Sequence, residues 1–194
     1  MEETKKHKRV FVNDVDRYSS QHIAKFLSTC EAGDLSEDEE TGPEVAFQVV
    51  GTVSSPEKLD FLHQQYDSPS RDELLRCLLG CDVVVYNVSE SSTPQQVDEA
   101  TWALTGLHAE LKTCGGRKMF ILISTVMTWA RTKPEEADGP EPVFSEEDVT
   151  RRRPHPSFRK HKDLEKLVLK LAKEKKSKLT CYVVAAGLQY GMEE

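Results

Sequence analysis

Ser124-Thr125-Val126-Met127-Thr128-Trp129 sets hydroxyls directly behind the apolar run that begins at Met119. At the end of a strand in an α/β protein, such a hydroxyl can orient a substrate carbonyl or simply bond to backbone. Hydride transfer beside it needs a general acid of lowered pKa, usually a tyrosine with a lysine four residues on, whose charge favours the phenolate. The stretch Phe158-Arg-Lys-His-Lys162 keeps that spacing but carries a phenyl ring in place of the phenol. Ser124, Thr125 and Lys162 thus read as vestiges of a catalytic set.

A second place to look for chemistry is the turn Asn13-Asp14-Val15-Asp16-Arg17-Tyr18-Ser19-Ser20. A dinucleotide diphosphate is cradled by backbone N–H groups at a helix start, approached through glycines because a side chain would block it. This turn has no glycine and two aspartates, and its single arginine, Arg17, reads as an ion-pair partner of those acids. NAD(P) is therefore not expected to bind. No G-x-x-x-x-G-K-[ST] run occurs anywhere, which excludes a P-loop kinase or ATPase site within these residues. A G-x-S-x-G elbow, an H-E-x-x-H pair and an EF-hand loop are equally absent. His22, His63, His108, His155 and His161 lack ligand spacing, so no metal is expected. The five cysteines form no C-x-x-C pair and sit in or beside apolar segments, where reduced thiols act as small hydrophobes.

The elements that position these residues follow from apolar periodicity. Arg9 to Asn13 reads as a strand, followed by a helix capped by Ser19 or Ser20 with Ile23, Phe26, Leu27 and Cys30 on one stripe. Val45 to Gly51 is a second strand, and a weaker third falls within Leu59 to Tyr66. Ser70-x-x-Glu73 is a capping box for a helix closed by Gly80 in a left-handed conformation. The unbroken apolar run Cys81 to Asn87 suits a strand covered on both faces. Pro94 opens a helix that buries Val97, Ala100, Leu104, Leu107 and Leu111. Met119 to Ser124, a helix over Ser157 to Lys176 that buries Leu164, Leu167, Val168 and Leu171, and a strand over Leu179 to Ala185 complete the series. This alternation predicts an α/β, three-layer, Rossmann-like, doubly wound and mostly parallel sheet, incomplete at its carboxyl-terminal side. The expected division is a disordered basic tail over 1–8, the domain over 9–191 with acidic flexible loops at 31–44 and 132–148, and a tail over 192–194.

With 194 residues, 30% charged and 38% apolar, the chain is long enough to bury a core, and no apolar run could span a bilayer. No membrane association is expected, and the charged amino terminus lacks the apolar stretch of a secretory signal, so a cytoplasmic location is. The net charge of −7 is unevenly spread, since Thr150 to Lys178 holds twelve Lys and Arg against three acids. Clustered cations suggest phosphate contact, but no aromatics are interleaved for base stacking and most of the lysines fall on the polar side of an amphipathic helix. Nucleic acid is not expected; Arg151, Arg152, Arg153, Lys173, Lys175 and Lys176 read instead as a surface for an acidic protein partner.

At these residues the chain resembles the extended short-chain dehydrogenase/reductases. The resemblance sets Asp14, Arg17 and Ser20 on the three glycines of that family's G-x-x-G-x-x-G turn, and Asp67 on its adenine-contacting aspartate. Ser124 or Thr125 falls on the catalytic hydroxyl, Phe158 or Ser157 on the tyrosine, and Lys162 or His161 on the lysine. The segments Ile123 to Arg131 and Tyr182 to Gly191 further resemble the amino-terminal, reductase-like region of an adenylate kinase of motile cilia and flagella. That resemblance implies a nucleoside phosphotransferase as the whole protein, with ATP handled only by a kinase domain that this chain lacks. It also implies axonemal or other ciliary proteins as partners and a place in the axoneme. The expected role is a catalytically silent docking domain without a cofactor, with an atypical nucleotide-binding reductase as the alternative.

Overall fold

The computed structural model describes residues 7–31, 46–90, 93–113, 115–133, 144–174 and 177–191. Six strands alternate with four helices: β1 (Lys8–Val12), α1 (Tyr18–Thr29), β2 (Phe47–Val53), β3 (Gln64–Asp67), α2 (Arg71–Leu79), β4 (Val83–Asn87), α3 (Pro94–Thr113), β5 (Lys118–Thr125), α4 (Arg159–Ala172) and β6 (Leu179–Ala186). They form one sheet in the order β3-β2-β1-β4-β5-β6, and every neighbouring pair is parallel. The expected doubly wound sheet is present, with all six strands running the same way. Chain direction across the sheet reverses between β1 and β4, so the crevice beyond their carboxyl ends is where such a sheet would receive a ligand.

Two apolar clusters hold the layers. Phe11, Tyr86, Phe120 and Leu122 meet α2, α3 and α4 on one face through Leu78, Leu104, Leu107, Leu164 and Val168. On the other face Val10, Val12, Val49 and Val85 meet α1 through Ala24, with Ile23 and Leu27 alongside. That second layer is thin toward β6, where Tyr182 and Val184 are about half exposed. Among the described residues, β6 pairs only with β5, so the sheet stays open at this edge.

Several local expectations need correction. The contact face of α1 is built from small residues, with Ser20 and Ala24 buried, and this rotates Phe26 outward to 69% exposure. Ser19 and Ser20 do not cap that helix; Arg17 holds the cap position with no side-chain bond. Gly80 closes α2 with φ −80°, an ordinary right-handed value, while its N–H bonds to the Arg76 and Cys77 carbonyls. The Ser70–Glu73 box forms in both directions, and Pro94 is the first residue of α3. The strand β1 begins at Lys8, within the expected tail. The third strand sits at Gln64–Asp67, at the end of its expected range and one residue past it. Residues 1–6, 192–194 and most of both acidic loops, 32–45 and 134–143, lie outside the described residues. The end of the second loop is a short helical turn over Glu146–Thr150, with Ser145 and Asp148 as its capping pair.

Candidate functional site

The crevice between β1 and β4 is laced shut by side chains. Asn13, just past β1, donates from Nδ2 to the Asn87 carbonyl at 3.1 Å and accepts the Asn87 N–H at 2.6 Å, which extends the ladder one step beyond the strands. The Asn87 amide in turn donates to the Ser19 and Ser20 hydroxyls at 2.6 and 3.2 Å. Those serines act as acceptors for a strand end 67 or 68 residues away, which accounts for their burial and for their failure as caps.

The helix start that would hold a diphosphate has a different tenant. The Ser19 N–H, one of the open donors in the first turn of α1, donates to the carboxylate of Glu90 at 2.5 Å. A carboxylate there also meets the positive end of the helix dipole. Below it, the Val15 side chain is fully buried against Gly51 of β2. A Cβ on Gly51 would stand 2.3 Å from Val15 Cγ2 and 2.5 Å from the Val12 carbonyl oxygen, so the glycine that permits close approach lies on the neighbouring strand rather than in the turn. Asp14 has φ +48°, bonds to Gln96 Nε2 at 2.6 Å, and lies 3.7 Å from Arg17 in a loose ion pair. Burial pushes the Asp14 carboxyl up, with Asp16 adding to the rise and Arg17 opposing it. Asp16 accepts the N–H groups of Ser54 and Ser55 at 2.8 and 3.1 Å, in the loop after β2. Asp67 ends β3 exposed and accepts the Ser68 hydroxyl. Asp14 and Arg17 therefore pair with each other at the turn, while Ser20 beside them serves Asn87.

The expected catalytic corner is also engaged internally. Ser124, at the end of β5, is fully buried and donates to Glu165 Oε1. Glu165, itself fully buried on α4, holds the Arg152 guanidinium with its other oxygen. Thr125 accepts the Met127 N–H at 3.2 Å, the bland strand-end role for a hydroxyl. Lys162 donates to the Arg152 carbonyl, and burial lowers its pKa, with Lys166 and Arg152 adding to the effect. Phe158 sits at the start of α4 with its ring 4.9 Å from that of His161, whose Nε2 lies 3.2 Å from the Val88 carbonyl. A cavity of about 770 Å³ runs along β6 between Trp129, Phe144, Leu169 and Tyr182, with Arg152 on its wall. It is mostly apolar and separate from the Asp14 turn.

The basic surface separates into parts. Arg152 is only 4% exposed, so it belongs to the interior and not to a docking surface: the buried Glu165 carboxylate needs its charge. Arg151 is held by Asp148 at 2.5 Å, while Arg153 and Lys173 are exposed. Lys175 and Lys176 lie outside the described residues. Glu90 and Glu165 are not singled out by sequence. Glu165 did carry a signal, since His161, Leu164, Glu165 and Val168 form one i, i+3, i+4, i+7 stripe, and an acid on a buried stripe demands a partner. Among the described residues, no three His, Cys, Asp or Glu side chains are placed to hold a metal, and no helix is long and apolar enough to cross a membrane.

Comparison with known proteins bears on a sheet of this order. No family model matches the chain. Over 113 residues it is 53% identical to adenylate kinase 7 of Mus musculus. The chain is similar to adenylate kinase 7. The matched stretch is 58% of this chain and 18% of that relative, so the chain spans under a fifth of adenylate kinase 7. Among solved structures, MoeE5 in complex with UDP-glucose and NAD superposes with a TM-score of 0.56 at 18% identity, covering 92% of this chain and 54% of that one. A short-chain dehydrogenase/reductase superfamily protein from Agrobacterium tumefaciens with bound NAD gives 0.57 at 12%, covering 91% and 48%. These likenesses show the fold: an adenylate kinase 7-like sequence on a Rossmann-like sheet.

Proposed function

We propose that this chain is a catalytically silent, Rossmann-like docking module of an adenylate kinase 7-like protein, acting in the ciliary axoneme and binding no dinucleotide. The observation that carries the reading is the Ser19 N–H donating to Glu90 above a Val15 side chain packed on Gly51. A diphosphate would have to displace a carboxylate from the helix start and lie beside Asp14 and Asp16, with Arg17 as the nearby cation. The turn does not fit that group. The corner where hydride chemistry would occur supports the same reading: Ser124 serves Glu165, and Phe158 supplies no proton. With no P-loop in the sequence, the phosphate transfer named in the relative is not assigned to these residues.

Docking then rests on the exposed cations Arg153 and Lys173, with Lys175 and Lys176 next in sequence, facing an acidic protein surface. Two measurements on the purified chain test the reading. Titration with NADH and NADPH should give no saturable change in the fluorescence of Trp102 or Trp129. Sedimentation with isolated axonemes should weaken about tenfold on Arg153→Glu/Lys173→Glu, through lost charge complementarity. Saturable dinucleotide binding would overturn the silent part, and unchanged sedimentation the docking surface.

A further inference from the structure

We propose that Cys77 is an oxidant-sensitive modification site: a small hydroperoxide such as hydrogen peroxide converts it to a sulfenic acid, which Cys81 captures as an intramolecular disulfide. The argument starts from helix geometry. Cys77 lies in the last turn of α2 and Cys81 two residues beyond its end, with the Cys81 N–H still bonded to the Leu78 carbonyl at 3.1 Å. Four residues along a helix rise about 6 Å, inside the Cα separation that a disulfide accepts. The Cys81 thiol turns back toward Cys77, donating to its carbonyl oxygen at 3.2 Å.

A second set of groups makes Cys77 the attacking partner. The Tyr66 hydroxyl and the Arg9 guanidinium, 3.5 Å apart, line the same cavity as Cys77. The neighbouring Cys81 thiol holds the Cys77 thiol below the ordinary range, with Tyr66 and Arg9 adding to the effect and burial opposing it. The same proximity and burial push Cys81 up, so one thiol is prepared as nucleophile and the other is kept protonated in reserve. Lys118 donates to the Cys81 carbonyl at 2.6 Å and ties down that residue two positions before β4. Cys77 is buried, and it lines a cavity of about 390 Å³ together with Arg9, Gln64, Tyr66, Glu73 and Arg76. That cavity is large enough for a peroxide and polar enough to hydrate one. Cys30 and Cys181 have no comparable setting; burial pushes the Cys181 thiol up to about 11.

The chemistry balances. The Cys77 thiolate attacks one peroxide oxygen, the O–O bond breaks and hydroxide leaves, which gives Cys77–SOH. Cys81 gives its proton to that hydroxide and attacks the Cys77 sulfur; the S–S bond forms, the S–O bond breaks, and the departing hydroxyl takes a proton from solvent. Two thiols and one hydrogen peroxide yield one disulfide and two waters. Trypsin leaves both cysteines on the single peptide from Cys77 to Lys112, which makes the product readable by mass. After brief treatment of the folded chain with hydrogen peroxide and alkylation, that peptide should be lighter by two hydrogens than its reduced form and carry no alkyl group. Cys77 should react about tenfold faster than Cys181 at neutral pH. Cys81→Ser should leave a dimedone-reactive sulfenic acid on Cys77, and Tyr66→Phe should slow oxidation while circular dichroism stays unchanged. Oxidation of Cys77 no faster than Cys181, or no sulfenic acid in Cys81→Ser, would overturn the proposal.

Discussion

Removing Glu165 should be the most damaging single change in this chain. Its carboxylate is fully buried, accepts the Ser124 hydroxyl with one oxygen and holds the 4%-exposed Arg152 with the other. In Glu165→Ala the guanidinium stays inside without its counter-charge, and the Ser124 hydroxyl loses its acceptor. Breaking a buried pair in this way costs about 3–5 kcal/mol. At roughly 2–4 °C per kcal/mol for a domain of this size, the melting temperature should fall by about 10 °C. Circular dichroism melts of the wild type, Glu165→Ala, Arg152→Met and Arg152→Met/Glu165→Leu would read it. The double variant removes both charges and should recover most of the loss, because apolar replacement of a buried pair is neutral or stabilising. A Glu165→Ala melt within about 2 °C of the wild type would refute the reasoning, since it would place both charges in contact with water.

Three further outcomes follow from the cleft. Gly51→Ala should cost about 1–3 kcal/mol, because the new Cβ meets the Val12 carbonyl as well as Val15, and Val15→Ala in the same chain should restore only part of it in a urea melt. Glu90→Ala should cost about 1 kcal/mol as the loss of a helix-start acceptor, read in the same melts. Asp14→Asn should raise the melting temperature at neutral pH. Burial raises the folded-state pKa of Asp14 above its unfolded value, so the native state bears a penalty once the pH exceeds both and none below the unfolded value. The gain should therefore shrink as pH falls through the ordinary carboxylate range, and asparagine tolerates the φ of +48° at that position. A pH-independent difference would exclude the charge as its cause.

What sequence made legible was local. The all-apolar runs of β4 and β5, the Ser70–Glu73 box and Pro94 each announce an element through its own neighbours, and with the βαβ alternation they were enough for the sheet class. The lack of a phenol at position 158 and of glycines in the Asp14 turn was legible too, because both are properties of residue type. What escaped was long-range pairing. Ser19 and Glu90 are 71 residues apart, and Ser124 and Glu165 are 41 apart, so no window of sequence shows that one satisfies the other. Arg152 illustrates the cost. Within Arg151-Arg-Arg153 nothing local distinguishes the residue that turns inward from the two that flank it; only the acid on the buried stripe of α4 decides the matter.

The claim on which the rest depends concerns one backbone amide. In an amide-resolved NMR titration, the Ser19 resonance should stay in place as NADH or NADPH is raised to millimolar concentration, because Glu90 already accepts its proton. A saturable shift of Ser19 and Ser20 at micromolar dinucleotide would show a diphosphate seated on the start of α1, and would contradict the account.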